Sequence, residues 1–283
     1  MNYRILTILL VVAVTLCCIP CKSQTKGDVA VNNTAISTDQ EIYSLIQQAR
    51  EGDAEACKSL AKRYSKGEGV RRSFINAFFM YGIYGERTGV GIDSVATLFD
   101  DNDPYKTLAE MLSAPKTNGE KEMREKIERL KQTLPATAEL IEASIKFDEV
   151  NDTTAFQNAL NKAENEGGDV CIFFKLYFYD TYGKAGDALK YMRLYADRWP
   201  AFNKAIAESY MDEYEKDGDI ENVKRAMECY RKMDEHGMLN ASAASQMLKT
   251  YLEFKDKGLP QWNKKDLERI KKLADSKKTG KHN

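Results

Sequence analysis

Histidine is almost missing from this chain, which has only two among its 283 residues, His236 and His282. Neither lies at ligand spacing from a cysteine or from the other histidine, so the sequence offers no zinc site. A serine or cysteine nucleophile needs a base nearby, and His236 would be the single candidate. We therefore predict a protein with no catalytic residues, no metal and no cofactor.

An excess of charge of one sign is also absent. The 42 lysines and arginines nearly balance the 43 aspartates and glutamates, and the net charge is -1. This balance gives no reason to expect nucleic acid or an anionic membrane as a partner. Apolar residues make up 43% of the chain and charged residues 30%, as in a globular protein. The β-branched alternation that strands need is missing, so the sequence predicts an all-α protein.

The longest apolar run is N-terminal and extends from Ile5 to Leu16, after Arg4. It is too short to span a bilayer and is typical of a secretory signal peptide, predicted over residues 1–23 with cleavage after Ser23. Cys18, which follows Cys17, leaves open a lipoprotein signal whose cysteine would carry a lipid anchor. On both interpretations the mature chain is exported to the periplasm or cell envelope, either secreted or lipid-anchored.

Only three cysteines remain after this segment, Cys57, Cys171 and Cys229. An odd number of such widely spaced cysteines is not a disulfide framework. Each lies among apolar residues of a predicted helix, which indicates small buried thiols. One bridge that joins two hairpins remains the alternative.

A helical hairpin is predicted from Glu51 to Arg87, after a polar tether over residues 24–37. Apolar residues recur every three or four positions before Gly67-Glu68-Gly69, and the same face continues after this turn. Glycine ends the first helix because it adopts left-handed backbone conformations without steric cost. Two amphipathic helices on a tight turn must lie antiparallel.

The pattern returns along the chain. Tyr179 and Gly183 recur 35 residues later as Tyr214 and Gly218, Tyr214 recurs as Tyr251, and Gly52-Asp53 is echoed by Gly168-Asp169. A period of this length predicts a solenoid of antiparallel helix pairs, an α/α superhelix of about fourteen helices over residues 38–276.

These residues resemble the Sel1-like repeat, a relative of the tetratricopeptide repeat. Residues 51–87 match best and residues 168–258 match as degenerate repeats, although Tyr84-Gly85 stands where the family has two alanines. The resemblance implies the following structural positions: Ala54, Leu60, Ala61, Tyr64, Gly67, Gly69, Ala77, Tyr81, Tyr179, Gly183, Tyr214, Gly218, Ala226, Tyr230 and Tyr251. It also implies an adaptor or assembly scaffold that mediates protein–protein contact.

The C-terminal part is predicted to close the solenoid. A capping helix over residues 263–276 has one apolar stripe, formed by Leu267, Ile270, Leu273 and Ala274, and a disordered tail follows over residues 277–283. The lysines of this helix leave open an alternative, in which it binds an anionic surface.

Candidate partner-binding residues fall in two places. Arg71 and Arg72 lie on the hairpin turn, where we expect them to be exposed. The aromatic run from Cys171 to Tyr182 is too dense for every ring to face inward, so we expect some of Phe174, Phe178, Tyr179 and Tyr182 to face a neighbouring groove or solvent, with Phe174, Phe178 and Tyr182 as candidate partner contacts.

Two acidic stretches admit two interpretations each. Asp100 to Pro104 resembles part of a calcium loop but lacks its glycine and final glutamate, which favours a helix cap at Asp103. The other stretch surrounds a turn, and either forms a solvated face or binds a cation or a basic partner. It comprises Asp212, Glu213, Glu215, Asp217 and Asp219.

The sequence therefore predicts an exported helical-repeat scaffold that binds an unidentified protein in the cell envelope. The alternative is an envelope binder of glycan or peptide ligands through an aromatic groove. A third class is a hydrolase, because some exported relatives are associated with β-lactam binding, but the cysteine pairs of that variant are missing. We expect no nucleic acid partner, and contact with a membrane only through an N-terminal lipid anchor.

Overall fold

The computed structural model describes residues 38–113, 120–150, 152–165, 169–172, 174–176 and 186–276. Within these ranges the regular secondary structure is helical and no strand occurs, which confirms the predicted all-α class. The predicted signal peptide (1–23), tether (24–37) and tail (277–283) lie outside the described residues. Twelve α-helices are described along their length: α1 (Thr38–Arg50), α2 (Ala54–Lys66), α3 (Phe74–Thr88), α4 (Lys106–Ser113), α5 (Glu120–Thr133), α6 (Pro135–Val150), α7 (Thr153–Asn165), α8 (Asp187–Tyr195), α9 (Asn203–Asp217), α10 (Ile220–Glu235), α11 (Ala241–Phe254) and α12 (Lys264–Asp275). Short 3-10 helices cover Ile92–Leu98, Pro200–Phe202 and Lys255–Lys257.

The helices stack in chain order, as a solenoid requires. The most extensive packing joins α2 to α3 and α9 to α10, followed by α6 with α7 and α11 with α12. Helices that are neighbours in sequence therefore form antiparallel hairpins, and each hairpin covers an apolar face that it cannot bury alone. None of the described helices combines the length and the apolar character that a membrane crossing requires.

The hairpin α2–α3 forms where the glycine turn predicts it. The Asp53 carboxylate accepts a hydrogen bond from the Glu55 amide at 2.8 Å and so caps α2. Gly67 ends α2 with φ 76°, and its amide donates to the Arg63 carbonyl at 2.7 Å. The Ser73 hydroxyl then caps α3 by accepting from the Asn76 amide at 3.0 Å.

The repeat positions of this hairpin face inward. Leu60, Ala61 and Ala77 have no exposed surface, Tyr81 is 1% exposed and Ala54 is half-buried. Gly85 stands where the Sel1-like repeat usually has alanine, and a close steric contact explains the glycine. A Cβ atom at Gly85 would lie 2.6 Å from the Val90 carbonyl oxygen, so the chain folds back over α3 at a distance that only glycine permits.

In the C-terminal repeats, Ala226 and Tyr230 are fully buried. Tyr214 packs edge-on against Phe254, and Tyr251 stacks on Trp262 with ring centroids 4.1 Å apart. Gly218 ends α9 in the left-handed conformation. Tyr179 and Gly183 lie outside the described residues.

The capping helix α12 docks by its predicted stripe, with Ile270 and Leu273 buried. It also meets the first helix. Arg269 of α12 donates to the Arg50 carbonyl at 3.1 Å and to both Asp234 oxygens at 2.6 and 2.7 Å. Arg50 Nη2 donates to Asp234 at 2.9 Å, so one buried carboxylate joins α1, α10 and α12. The two ends of the described chain are therefore in contact.

A close approach of backbones at Gly237 supports this closure. The residue follows α10, and a Cβ atom there would lie 2.9 Å from the Ala49 Cβ atom of α1. A larger residue at this position would push α1 away from α10.

A second buried carboxylate joins distant segments. Asp169 accepts from the Phe74 amide at 2.7 Å, the Ile75 amide at 3.2 Å, the Trp199 indole N–H at 2.9 Å and the Ser73 hydroxyl. The first two amides belong to the first turn of α3, which has no intrahelical acceptor for them. Burial raises the pKa of Asp169, and the four hydrogen bonds oppose that shift.

Candidate functional site

An open groove lies between α9, α11 and the end of α12, with a volume of about 480 Å³. We call it the acidic groove because three carboxylates line it. Its walls and floor are formed by Glu208, Met211, Asp212 and Glu215 of α9, Tyr230 of α10, Ser242, Ser245 and Gln246 of α11, and Ala274 of α12. Two consecutive hairpins, α9–α10 and α11–α12, therefore contribute to one concave surface.

Helix geometry places the three carboxylates together. Glu208, Asp212 and Glu215 stand at positions i, i+4 and i+7 of α9, which share one face of a helix. All three side chains are exposed. Lys204 reaches Glu208 from the preceding turn at 3.6 Å. The described residues that line the groove include no lysine or arginine, although the chain as a whole has a net charge of only -1.

The predicted acidic cluster is divided by the structure. Asp217 is the last residue of α9, and Asp219 follows the turn and caps α10 by accepting from the Glu221 amide at 3.0 Å. Glu213 pairs with Arg193 at 3.2 Å. Asp212 and Glu215 are the two members of the predicted cluster that line the groove. Neither has a hydrogen-bond or ion-pair partner among the described residues. Glu208 was not among the predicted residues, although its i, i+4 spacing from Asp212 was available as a signal.

Tyr230 forms part of the floor of the groove. The residue has no exposed surface, and its hydroxyl is buried without a hydrogen-bond partner among the described residues. Burial raises the pKa of Tyr230, and the nearby Glu208 carboxylate adds to this shift. The hydroxyl is therefore neutral, and it has both a donor and an acceptor to offer. The repeat pattern predicted only a packing role for this tyrosine.

A second, apolar pocket of about 350 Å³ lies between α10, α11 and the segment before α12. Met227, Met247, Leu259, Pro260 and Trp262 line it. Charged side chains at its edge pair with one another, as Arg231 does with Glu228 at 2.5 Å. The pocket is therefore an apolar cleft, and the charged side chains at its edge neutralise one another.

The two predicted arginines are exposed on the α2–α3 turn, on a different hairpin from the acidic groove. Arg72 is held in place, because its Nε donates to the Ser65 carbonyl at 3.1 Å and its guanidinium lies 4.6 Å from the centre of the Tyr105 ring. Arg71 extends the same exposed surface.

The expectation that Phe174 faces a groove is wrong. Its side chain is 2% exposed, because the helical residues around it turn its ring into the common core. The ring packs in the core and does not line the acidic groove, so the predicted aromatic groove loses this member. Phe178 and Tyr182 lie outside the described residues, and their part of the prediction stays untested.

The remaining chemical candidates are structural. Burial lowers the pKa of His236, which favours the neutral imidazole rather than the cation that a helix end attracts. Burial raises the pKa of the Cys57 and Cys229 thiols to about 11. In the described ranges no group of three potential metal ligands occurs. Asp103 accepts from the Tyr105 amide at 2.8 Å just before α4, which agrees with the predicted cap.

The described fold and groove define a class of protein, an α-solenoid of antiparallel helix pairs with an acidic concave surface. No family model matches the chain, and no curated protein matches it. Among solved structures, the chain is similar to a protective antigen of uropathogenic Escherichia coli with an SLR fold, at 14% identity and a TM-score of 0.36. It is also similar to a Sel1 repeat protein from Oxalobacter formigenes, at 15% identity and a TM-score of 0.37.

The two matches differ in extent. The first covers 84% of this chain and 57% of the antigen, so the chain spans just over half the length of that protein. The second covers 83% of this chain and 94% of the Oxalobacter protein. Both solved structures are Sel1-repeat proteins, the family that residues 51–87 resemble.

Proposed function

We propose that this chain is an exported helical-repeat scaffold that binds another protein in the cell envelope and catalyses no reaction itself. The observation that carries the proposal is the acidic groove. It crosses two hairpins, and two of its three carboxylates have no partner in the described part of the chain. Solenoids offer such concave surfaces for binding, because adjacent repeats align their inner helices.

The size and chemistry of the groove support a macromolecular ligand. A volume of about 480 Å³ lies within the range of ligand sites and accommodates a few side chains of a partner. Hydroxyl and amide groups of Ser242, Ser245 and Gln246 face the carboxylates across the groove and can bond a peptide backbone. The glycan alternative loses support because Phe174, one of its proposed contacts, is buried.

Export is supported by the sequence of residues 1–23, with their basic start and apolar run. Mass spectrometry of the mature N-terminus tests this part of the proposal. A terminus at Gln24 indicates free secretion, and a lipid-modified cysteine indicates an anchor. Retention of Met1 on the chain in the cytoplasm would contradict export.

Site-specific crosslinking in the native host tests the binding function. A photoreactive amino acid at Gln246, inside the groove, should give a discrete crosslinked species of higher mass. The same group at Glu55, an exposed position on α2, is the matched control. Equal crosslinking at the two positions, or none at Gln246, would contradict binding through the groove.

A further inference from the structure

We infer that the acidic groove binds a basic segment of its protein partner, with arginine or lysine side chains seated along Glu208, Asp212 and Glu215 and one of these cations at the Tyr230 hydroxyl. This inference rests on the proposed function and specifies the chemistry of the partner. Two independent features of the groove support it, the charge of its wall and the unpaired hydroxyl in its floor.

The spacing of the carboxylates on α9 sets the length of the charged wall. Seven residues of helix rise by about 10 Å, so the carboxylates of Glu208, Asp212 and Glu215 form a stripe of roughly that length. A peptide in the polyproline II conformation has three residues per turn and rises by about 3.1 Å per residue, so two of its basic residues three positions apart lie on one face, about 9 Å apart. Cations at the two ends of such a segment therefore match the two ends of the stripe.

Most of these charges lack an internal partner. Among the described residues, Glu208 pairs with Lys204 at 3.6 Å at one end of the wall, and Asp212 and Glu215 have no ion-pair partner. On another face of the same helix, Glu213 is already paired with Arg193. The difference between these faces of one helix indicates that the groove side is left for an external cation.

The floor gives the second observation. The Tyr230 hydroxyl is buried and has no hydrogen-bond partner among the described residues. An unpaired buried hydroxyl is unfavourable, and native proteins usually satisfy such groups. A guanidinium presents five N–H donors in a planar fork, so it can bond a carboxylate and this hydroxyl at once. Arginine fits both features better than a single ammonium group.

Other ligands fit less well. A polyanion such as nucleic acid would be repelled by the three carboxylates. A metal ion needs ligands that converge, and no such group of three occurs within the described ranges. A cationic side chain tolerates carboxylates spread along a helix.

The test measures binding of a fluorescent peptide with arginine at every third position, by anisotropy, to the full-length chain. The matched probe carries citrulline, the neutral counterpart of arginine, at the same positions. We expect the arginine peptide to bind at least fivefold more tightly at low salt, with the difference reduced at high salt because exposed charges are screened. Equal affinity for the two peptides would overturn the inference.

Neutralising variants locate the site. Glu208→Gln, Asp212→Asn and Glu215→Gln should each weaken the arginine peptide by about two- to fivefold, as expected for exposed ion pairs. Glu68→Gln, an exposed change of the same charge on another hairpin, should have no such effect. Groove variants that behave like Glu68→Gln would overturn the inference.

Tyr230→Phe separates binding from packing. Removal of an unpaired buried hydroxyl should leave the melting temperature unchanged or higher, and should weaken the arginine peptide by more than twofold. If Tyr230→Phe changes only the melting temperature and not the affinity for the arginine peptide, the tyrosine has a purely structural role. That result would overturn the assignment of its hydroxyl to the binding site.

One competing occupant is the chain's own basic segment, Lys277, Lys278 and Lys281, because Ala274 lines the groove. If deletion of residues 277–283 tightens the arginine peptide by more than tenfold, the groove belongs to that segment and not to a partner. If crosslinking at Gln246 succeeds but arginine and citrulline peptides bind equally, this inference fails and the proposed function survives. If crosslinking fails as well, both fail.

Discussion

Replacement of Asp169 by alanine should be among the most destabilising single changes in this chain. The carboxylate accepts from four donors on two segments, residues 73–75 and Trp199, and all four belong to buried or first-turn groups. Alanine would leave the Phe74 and Ile75 amides and the Trp199 indole N–H without an acceptor. The Ser73 hydroxyl can rotate to another acceptor, so three donors decide the cost.

The magnitude follows from those three donors. Each buried group left without a hydrogen bond costs about 1–3 kcal/mol, and part of that is regained as water enters the gap. We therefore expect the free energy of unfolding to fall by about 3–5 kcal/mol, the lower part of the range of about 3–9 kcal/mol for three unpaired donors. Domains are stable by only about 5–15 kcal/mol in total, so this loss would be readily measured. Asp169→Asn keeps one acceptor oxygen and should lose less.

Urea unfolding followed by circular dichroism at 222 nm measures the change, with the slope of the transition checked for each variant. Asp219→Ala is the matched control, because this exposed aspartate also caps a helix but accepts from one neighbouring amide. Its loss should be about 1 kcal/mol. If Asp169→Ala costs no more than Asp219→Ala, the claim that Asp169 joins separate hairpins is refuted.

Three further predictions concern other buried groups. Asp234→Ala should lower the free energy of unfolding by about 3–5 kcal/mol because Arg269 loses its bidentate acceptor, and adding Arg269→Ala should cost less than the sum of the single changes. Burial raises the thiol pKa of Cys57 and Cys229 to about 11, so about one thiol in a thousand is ionised at pH 8. A thiol reagent should therefore label both cysteines only when the chain unfolds, and peptide mapping can show this. Burial lowers the pKa of His236 below its unfolded value of 6.5, so the unfolded chain binds more protons in acid. The stability that this neutral histidine contributes is complete above the pKa of the unfolded chain and is lost as the pH falls through the pKa of the folded chain. Between pH 7 and pH 5, the melting temperature of His236→Gln should therefore drop less than that of the unsubstituted chain.

Each of these three predictions has an outcome that would contradict it. Additive losses in the double variant would show that Asp234 and Arg269 are not coupled. Rapid labelling of Cys57 in the native chain would show that α2 opens locally. An unchanged acid response in His236→Gln would show that burial of the imidazole does not affect folding.

The local architecture was predictable because it depends on residues close in sequence. The spacing of Leu60, Ala61 and Tyr64 gives a helix face, and Gly67 ends that helix whatever surrounds it. The same arguments hold for Tyr214 and Gly218. Periodicity and glycine turns thus predicted the helix pairs and the docking of the last helix.

The acidic groove was only half predictable. Asp212 and Glu215 were recognised as acidic, but their sequence neighbours Glu213, Asp217 and Asp219 looked equivalent. Which carboxylates face a groove and which are paired depends on Arg193 and on the positions of α10 and α11, and linear spacing does not give those positions.

By itself, the sequence determined an all-α chain of stacked hairpins, because helix faces and turns follow from local spacing. Gly52-Asp53 and Gly168-Asp169 look alike in sequence, yet Asp53 caps its own helix and Asp169 caps α3, some 95 residues away. Only the tertiary structure decided this, together with the contact between α1 and α12, the burial of Phe174 and the unpaired hydroxyl of Tyr230. The physical reason is that hydrogen-bond partners and burial are set by which faces meet after the hairpins stack.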